Sequence, residues 1–139
     1  MDAVDFSAVA PAEAETLAAE RGVQLRTQCT GLTARGAPEA AYDLALITHL
    51  QLPWPQVLGL AATAVRSGGT LLPAGHDTSN REHGFDGPQD PASRTPRNRS
   101  PPNGRPYARI LRAETVTRPV DGPQGPRTAI DSLVRAECL

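Results

Sequence analysis

The sequence has no lysine; all fourteen of its basic residues are arginine, set against fifteen acidic ones for a formal net charge of -1. With that balance no overall field draws the chain to nucleic acid or to an anionic membrane surface. Aromatic residues are scarce at 4%, so the core has to be assembled from Ala, Val, Leu and Ile. No apolar run approaches the roughly 20 residues a bilayer span requires, and the opening MDAVDFSAVA is acidic where a secretory leader is basic, which reads as a cytoplasmic protein. The two cysteines, Cys29 and Cys138, form neither a CxxC nor a Cys/His ligand spacing and are expected as reduced, unreactive thiols. No glycine-rich turn follows a strand, which leaves out a P-loop or dinucleotide fingerprint within these residues. No G-x-S-x-G surrounds Ser7, Ser67 or Ser79, so a hydrolase elbow is not expected.

What the chain does have is an alternation of strand and helix patterns. Ala3 to Asp5 reads as a short strand, and a helix opens after Ser7, with Pro11 in its first turn and Gly22 as its stop. Val23 to Gln28 alternates like a half-buried or edge strand, and Thr30 to Ala41 reads as loop. Tyr42 to Thr48 carries the unbroken run Leu44-Ala45-Leu46-Ile47, the pattern of a strand covered on both faces. Pro53 and Pro55 lead into a helix through Arg66 whose Val57, Leu58, Ala61, Ala64 and Val65 share a stripe. Ser67-Gly68-Gly69 is read as the turn that ends it, and Thr70 to Ala74 as the next strand, weakened by Pro73. The order implies an α/β protein with a doubly wound sheet and parallel neighbours at 42 to 48 and 70 to 74. Its 139 residues suffice for one domain.

Beyond Gly75 the character changes. Pro91 to Ala113 holds six arginines and no acid, and four prolines between 96 and 106 preclude continuous helix, so a disordered insert is expected at 91 to 106. Tyr107 to Thr117 and Arg127 to Ala136 then read as two strands of a hairpin joined by RPVDGPQG. Three histidines, His49, His76 and His83, stand with Asp77 and Asp86 as conceivable metal ligands; their spacing fits no recognised site, and no metal is expected. Asp5 ends the first strand, at the sheet edge where an α/β fold places ligands; a carboxylate there can accept two ribose hydroxyls, with Phe6 beside it to cover a base. The plainer role for Asp5 is a solvated helix cap.

The strings AVDFSAVA, AAYDLALITHLQLP, SGGTLL, GHDTSN with GPQDP, and the closing PRTAIDSLVRAE resemble class I S-adenosylmethionine-dependent methyltransferases, in a small bacterial group with a GHD-x-SN signature. The resemblance spans Ala3 to Asp90 and Arg109 to Glu137. It implies a Rossmann-like methyltransferase sheet, truncated at its N-terminal side and closed by an antiparallel hairpin, S-adenosylmethionine as cofactor and a small-molecule methyl acceptor. Asp5 would then bind the cofactor ribose, Phe6 would lie by the adenine, and Gly31-Leu32 would hold the adenine edge. His49 to Leu52 would border the methyl-transfer site, and His76 and Asp77 would face the acceptor; His49, His76 and Asp77 are thus the residues expected to position it. The family's first strand, glycine-rich motif and next helix should precede Asp5, so the chain is expected to be a C-terminal fragment that is inactive alone, its missing motif supplied by a fused segment or partner chain. Where SRTPRNRSPPNGRP stands, the family shows Y-T-P-E and an amphipathic helix, and GC-rich codons read one nucleotide out of frame restore such a string; a local frameshift is the expected origin of the Arg/Pro run. The rival functions are a non-catalytic partner subunit, or an arginine- and proline-rich arm that docks an SH3-like groove or RNA.

Overall fold

The computed structural model describes residues 1–87 and 107–139, so the expected insert at 91 to 106 lies outside the described residues. They divide into two compact units, Met1–Gly36 and Ala37–Leu139.

In the first unit, β1 (Asp2–Asp5) pairs in parallel with β2 (Arg26–Cys29), and α1 (Val9–Glu20) makes the crossover between them. Pro11 is harmless in the first turn of α1, where its missing N–H has no intrahelical partner to lose. Gly22 takes the left-handed conformation (φ 63°) just past the helix, which a residue with a Cβ resists, and the Val23 amide closes the turn on the Ala18 carbonyl at 3.0 Å. β2 begins three residues later than the alternation implies, because Val23 to Leu25 belong to this helix exit. A single turn of helix, α2 (Leu32–Arg35), occupies part of the expected loop.

The second unit is a four-stranded mixed sheet in the order β3-β4-β6-β5, from β3 (Tyr42–Thr48), β4 (Val65–His76), β5 (Ala108–Gly122) and β6 (Gly125–Cys138). β3 and β4 are parallel neighbours joined by α3 (Trp54–Ala64), as the sequence pattern implies. Trp54, Val57, Ala61 and Ala64 fall on one stripe of α3 and are buried with Leu71, Val134, Ala136 and Cys138, which form the core. Side chains as buried as Val57 and Leu71, each 1% exposed, contribute about 1.5–3 kcal/mol apiece. No helix among the described residues is long and apolar enough to cross a membrane.

Three expectations are corrected. Leu44 and Leu46 are exposed and of the run only Ile47 is buried, because alternate residues of a strand point to opposite faces and β3 is packed on only one of them among the described residues. Ser67-Gly68-Gly69 does not cap α3, which ends at Ala64. These residues form a bulge within β4: the register steps from Tyr42↔Val65 to Leu44↔Thr70, and Gly68 absorbs the bend at φ 77°. The hairpin is much longer than the expected strands, pairing Ala108↔Cys138 through Gly122↔Gly125, so the supposed loop at Arg118 to Gly122 is strand. Pro119 is tolerated there because β5 is an edge strand. Pro73 does sit in a central strand, and the β4–β6 pairs step from Leu71↔Ala136 to Ala74↔Leu133 across it without a change of register.

Candidate functional site

The carboxyl ends of β3 and β4 converge with the middle of the long hairpin. His49 follows β3, its amide held by the Ala74 carbonyl at 2.8 Å, and its backbone is left-handed at φ 47°. That conformation is uncommon for residues with a Cβ, although histidine takes it more readily than most, and such residues are often found at functional sites. His76 is the last residue of β4 and lies directly opposite Asp131 of β6. Val116 of β5 pairs with Asp131 from the other side, and Arg118, two residues on, shares the Val116 face. The register therefore brings two imidazoles, a carboxylate and a guanidinium together from four chain segments.

His76 Nδ1 lies 3.3 Å from Asp131 Oδ1, His49 Nε2 lies 3.8 Å from Asp131 Oδ2, and the two imidazole rings meet edge to face at 5.0 Å. Arg118 Nε donates to Asp131 Oδ2 at 2.9 Å. The Asp131 side chain is only 8% exposed, yet its Oδ1 is buried without a hydrogen-bond partner. Burial depresses the basicity of His76, and His49 and Arg118 depress it further, while Asp131 and Asp86 oppose them; the net direction is downward, toward a neutral ring with an available lone pair. Gly87 lies close against the ring: a Cβ there would come within 2.9 Å of His76 Cγ and Cδ2, and the backbone is at φ 101°. His49, His76 and Arg118 line a cavity of about 390 Å³ with Phe85, Val120 and Ala129.

Asp77 is placed elsewhere. Expected beside His76 as an acceptor-facing group, it is instead 0% exposed, with the Ser79 amide (2.9 Å) and hydroxyl (2.6 Å) donating to Oδ1 and the Ser132 hydroxyl donating to Oδ2. Successive residues of an extended strand point to opposite faces, so His76 opens on the cavity and Asp77 turns into the protein. Asn80 is equally structural: its Nδ2 donates to the Asp86 carbonyl at 2.6 Å and its Oδ1 accepts the Ile130 amide at 2.6 Å. The GHD-x-SN residues thus fasten the end of β4 to β6, and α4 (Asn80–His83) follows directly. His83 is exposed and paired with its neighbour Glu82.

In the first unit the four residues assigned to the cofactor do gather at one edge. Asp5 is opposite Cys29 in the β1–β2 ladder, the Thr30 amide bonds the Asp5 carbonyl at 2.8 Å, and Gly31 and Leu32 follow at once. Asp5 Oδ1 accepts the Ser7 amide at 2.7 Å and Ser7 Oγ accepts the Val9 amide at 3.2 Å, so Asp5 also braces the entrance to α1. Phe6 is 78% exposed.

Sequence reasoning missed Asp131 and Arg118. Both lie in the hairpin, and the sequence signal for Asp131 was a lone acid in the apolar run TAIDSLV; only the β4–β6 register puts it opposite His76.

With this geometry established, the chain compares with solved structures as follows. It matches TehB from Haemophilus influenzae with a TM-score of 0.70 at 13% identity, covering 99% of this chain and 49% of that one. The α/β fold is one this chain shares with solved methyltransferases. A SAM-dependent methyltransferase from Methanosarcina mazei matches with a TM-score of 0.62 at 12% identity, over 99% of this chain and 81% of that one. The N-methyltransferase NodS from Bradyrhizobium japonicum matches with a TM-score of 0.60 at 13% identity, over 99% and 72%. The chain thus spans about half the length of TehB and larger shares of the other two. No protein-family profile matches the sequence, and no curated protein matches it.

Proposed function

We propose that the protein transfers a methyl group from S-adenosylmethionine to a small-molecule acceptor, held in the cavity bordered by His49 and His76. The observation that carries this reading is the site's location: a cavity at the carboxyl ends of parallel strands, lined by paired imidazoles, in a chain with a methyltransferase fold. The sulfonium methyl of the cofactor is already activated, so the residues' task is to exclude water and align an acceptor atom with it. His49 and His76 supply hydrogen-bonding nitrogens for that alignment, and Asp77 acts at one remove by anchoring the end of β4. Asp5 would accept the cofactor ribose hydroxyls, with Phe6, Gly31 and Leu32 at the adenine.

In this reading the 139-residue chain alone binds the cofactor weakly, because a glycine-rich loop to meet its carboxylate end is not among these residues. Calorimetric titration with S-adenosylmethionine tests it. The expected result is weak binding by the chain itself, strong binding once a strand, glycine-rich loop and helix precede it, and loss of that gain with Asp5→Ala. Tight, stoichiometric binding by the 139 residues alone would refute the fragment part. An extended chain indifferent to both cofactor and Asp5→Ala would refute the methyltransferase reading.

A further inference from the structure

Asp131 Oδ1 is a buried carboxylate oxygen without a hydrogen-bond partner, in a protein whose neighbouring carboxylate, Asp77, has donors on both oxygens. A buried acceptor left in that state costs about 1–3 kcal/mol unless something fills the position. Around it stand His76 Nδ1 and His49 Nε2, and one donor atom from each of the three residues falls within 4.8 Å of the other two. A zinc-like ion held at about 2.1 Å by each of three ligands in tetrahedral geometry requires donors roughly 3.4 Å apart. His76 Nδ1 is close to that separation, at 3.3 Å from Asp131 Oδ1, while His49 Nε2 lies 3.8 Å from the other oxygen, Oδ2. With all three donors within 4.8 Å of one another, rotation of the 41%-exposed His49 ring is the adjustment that would complete the set.

We propose that His49, His76 and Asp131 form a binding site for a divalent transition-metal ion of borderline softness, of the zinc or cobalt class. Two imidazoles and one carboxylate suit such ions and are poor ligands for magnesium or calcium, which favour oxygen throughout. Arg118 does not occupy Oδ1: it donates to Oδ2, the oxygen recorded against His49, and leaves Oδ1 to face His76, orienting the carboxylate as outer-shell partners of metal ligands do. Gly87 packs closely against the His76 ring, while the exposed His49 ring keeps the freedom to turn toward an ion. Three protein ligands leave at least one coordination position, and the cavity of about 390 Å³ gives room for its occupant. The carboxylate offsets one charge of the ion and Arg118 adds one, so the centre is cationic and favours an anionic oxygen, such as a phenolate, enolate or hydroxy-acid group. The site is independent of any cofactor, so its test does not depend on methyl transfer.

The experiment is an optical titration of the chelator-treated 139-residue chain with Co²⁺, whose visible absorption intensifies when imidazole and carboxylate replace water in a four- or five-coordinate site, followed by back-titration with Zn²⁺. The expected result is one equivalent of Co²⁺, displaced by one of Zn²⁺, with His76→Ala and Asp131→Asn each weakening binding by more than the roughly 10–100-fold typical of outer-shell partners. His49→Ala, at an exposed and removable side chain, serves as a second ligand variant should the buried ones impair folding, which circular dichroism reports. Cys29→Ser and His83→Ala should leave the titration unchanged. Absence of a spectral change at millimolar Co²⁺, retention of binding in both His49→Ala and Asp131→Asn, or loss of binding with Cys29→Ser would overturn the proposal.

Discussion

Two adjacent residues of β6 are surrounded in opposite ways. Ser132 faces the core with Val134, Ala136 and Cys138, is 0% exposed, and donates its hydroxyl to Asp77, whose other oxygen is served by Ser79. Asp131 lies on the other face, behind the cavity-lining His49, His76 and Arg118; its Oδ2 is served by Arg118 and its Oδ1 lies against His76 without a hydrogen bond. The pleat of a single strand thus separates a saturated polar cluster from an unsaturated one. A closed network is what folding stability selects, whereas an orphaned buried acceptor costs stability and persists where something else binds it. The comparison assigns Asp77, Asn80 and Ser132 to holding the end of β4 in place, and Asp131, His76 and His49 to chemistry.

The largest effect that could break this division is expected on the closed side. Asp77→Ala removes a wholly buried carboxylate and strands the Ser132 hydroxyl, so urea unfolding should show a loss of about 3 kcal/mol or more. A loss below about 1 kcal/mol would mean the network is not structural. Next in size is His49→Gly, which releases the left-handed backbone; unfolding free energy should rise by about 1 kcal/mol while Co²⁺ binding falls, the trade expected where function is held at the expense of stability. A stability decrease with binding intact would reverse the assignment of His49. The smallest expected effect concerns the thiols. Cys138 is buried at the core face of β6, its pKa raised by burial, whereas Cys29 is exposed, so that against the expectation of two unreactive thiols a thiol reagent should reach Cys29 in the native protein and Cys138 only on unfolding.

Much of this fold is legible in the sequence. The Leu44 to Ile47 run, the α3 stripe beginning near Pro53 and the return to strand at Thr70 give the βαβ unit, because local periodicity and turn residues decide such elements. Gly68 misleads because glycine serves equally as a helix stop and as a bulge residue, and only pairing with β3 distinguishes the two. The Pro119 region misleads because whether a strand is at the edge of a sheet is a property of the sheet. Of the site, His49 and His76 are readable as residues that end strands. Asp131 and Arg118 are not, since their approach depends on antiparallel register between segments 55 residues apart in the case of His76 and Asp131. Asp77 was read with the wrong orientation for the same reason that Asp131 was missed: adjacent residues in a strand look alike in sequence and face opposite ways in the sheet.

The most direct test of the two-sided account of β6 is a set of thermal melts, with and without excess Zn²⁺, on the unmodified chain, Ser132→Ala and Asp131→Asn. A ligand that binds only the folded state raises the melting temperature in proportion to the logarithm of its concentration over Kd. The account requires Ser132→Ala to melt earlier than the unmodified chain yet keep its Zn²⁺-induced rise, and Asp131→Asn to melt near the unmodified temperature but lose that rise. Equal Zn²⁺-induced rises in Asp131→Asn and the unmodified chain would contradict it.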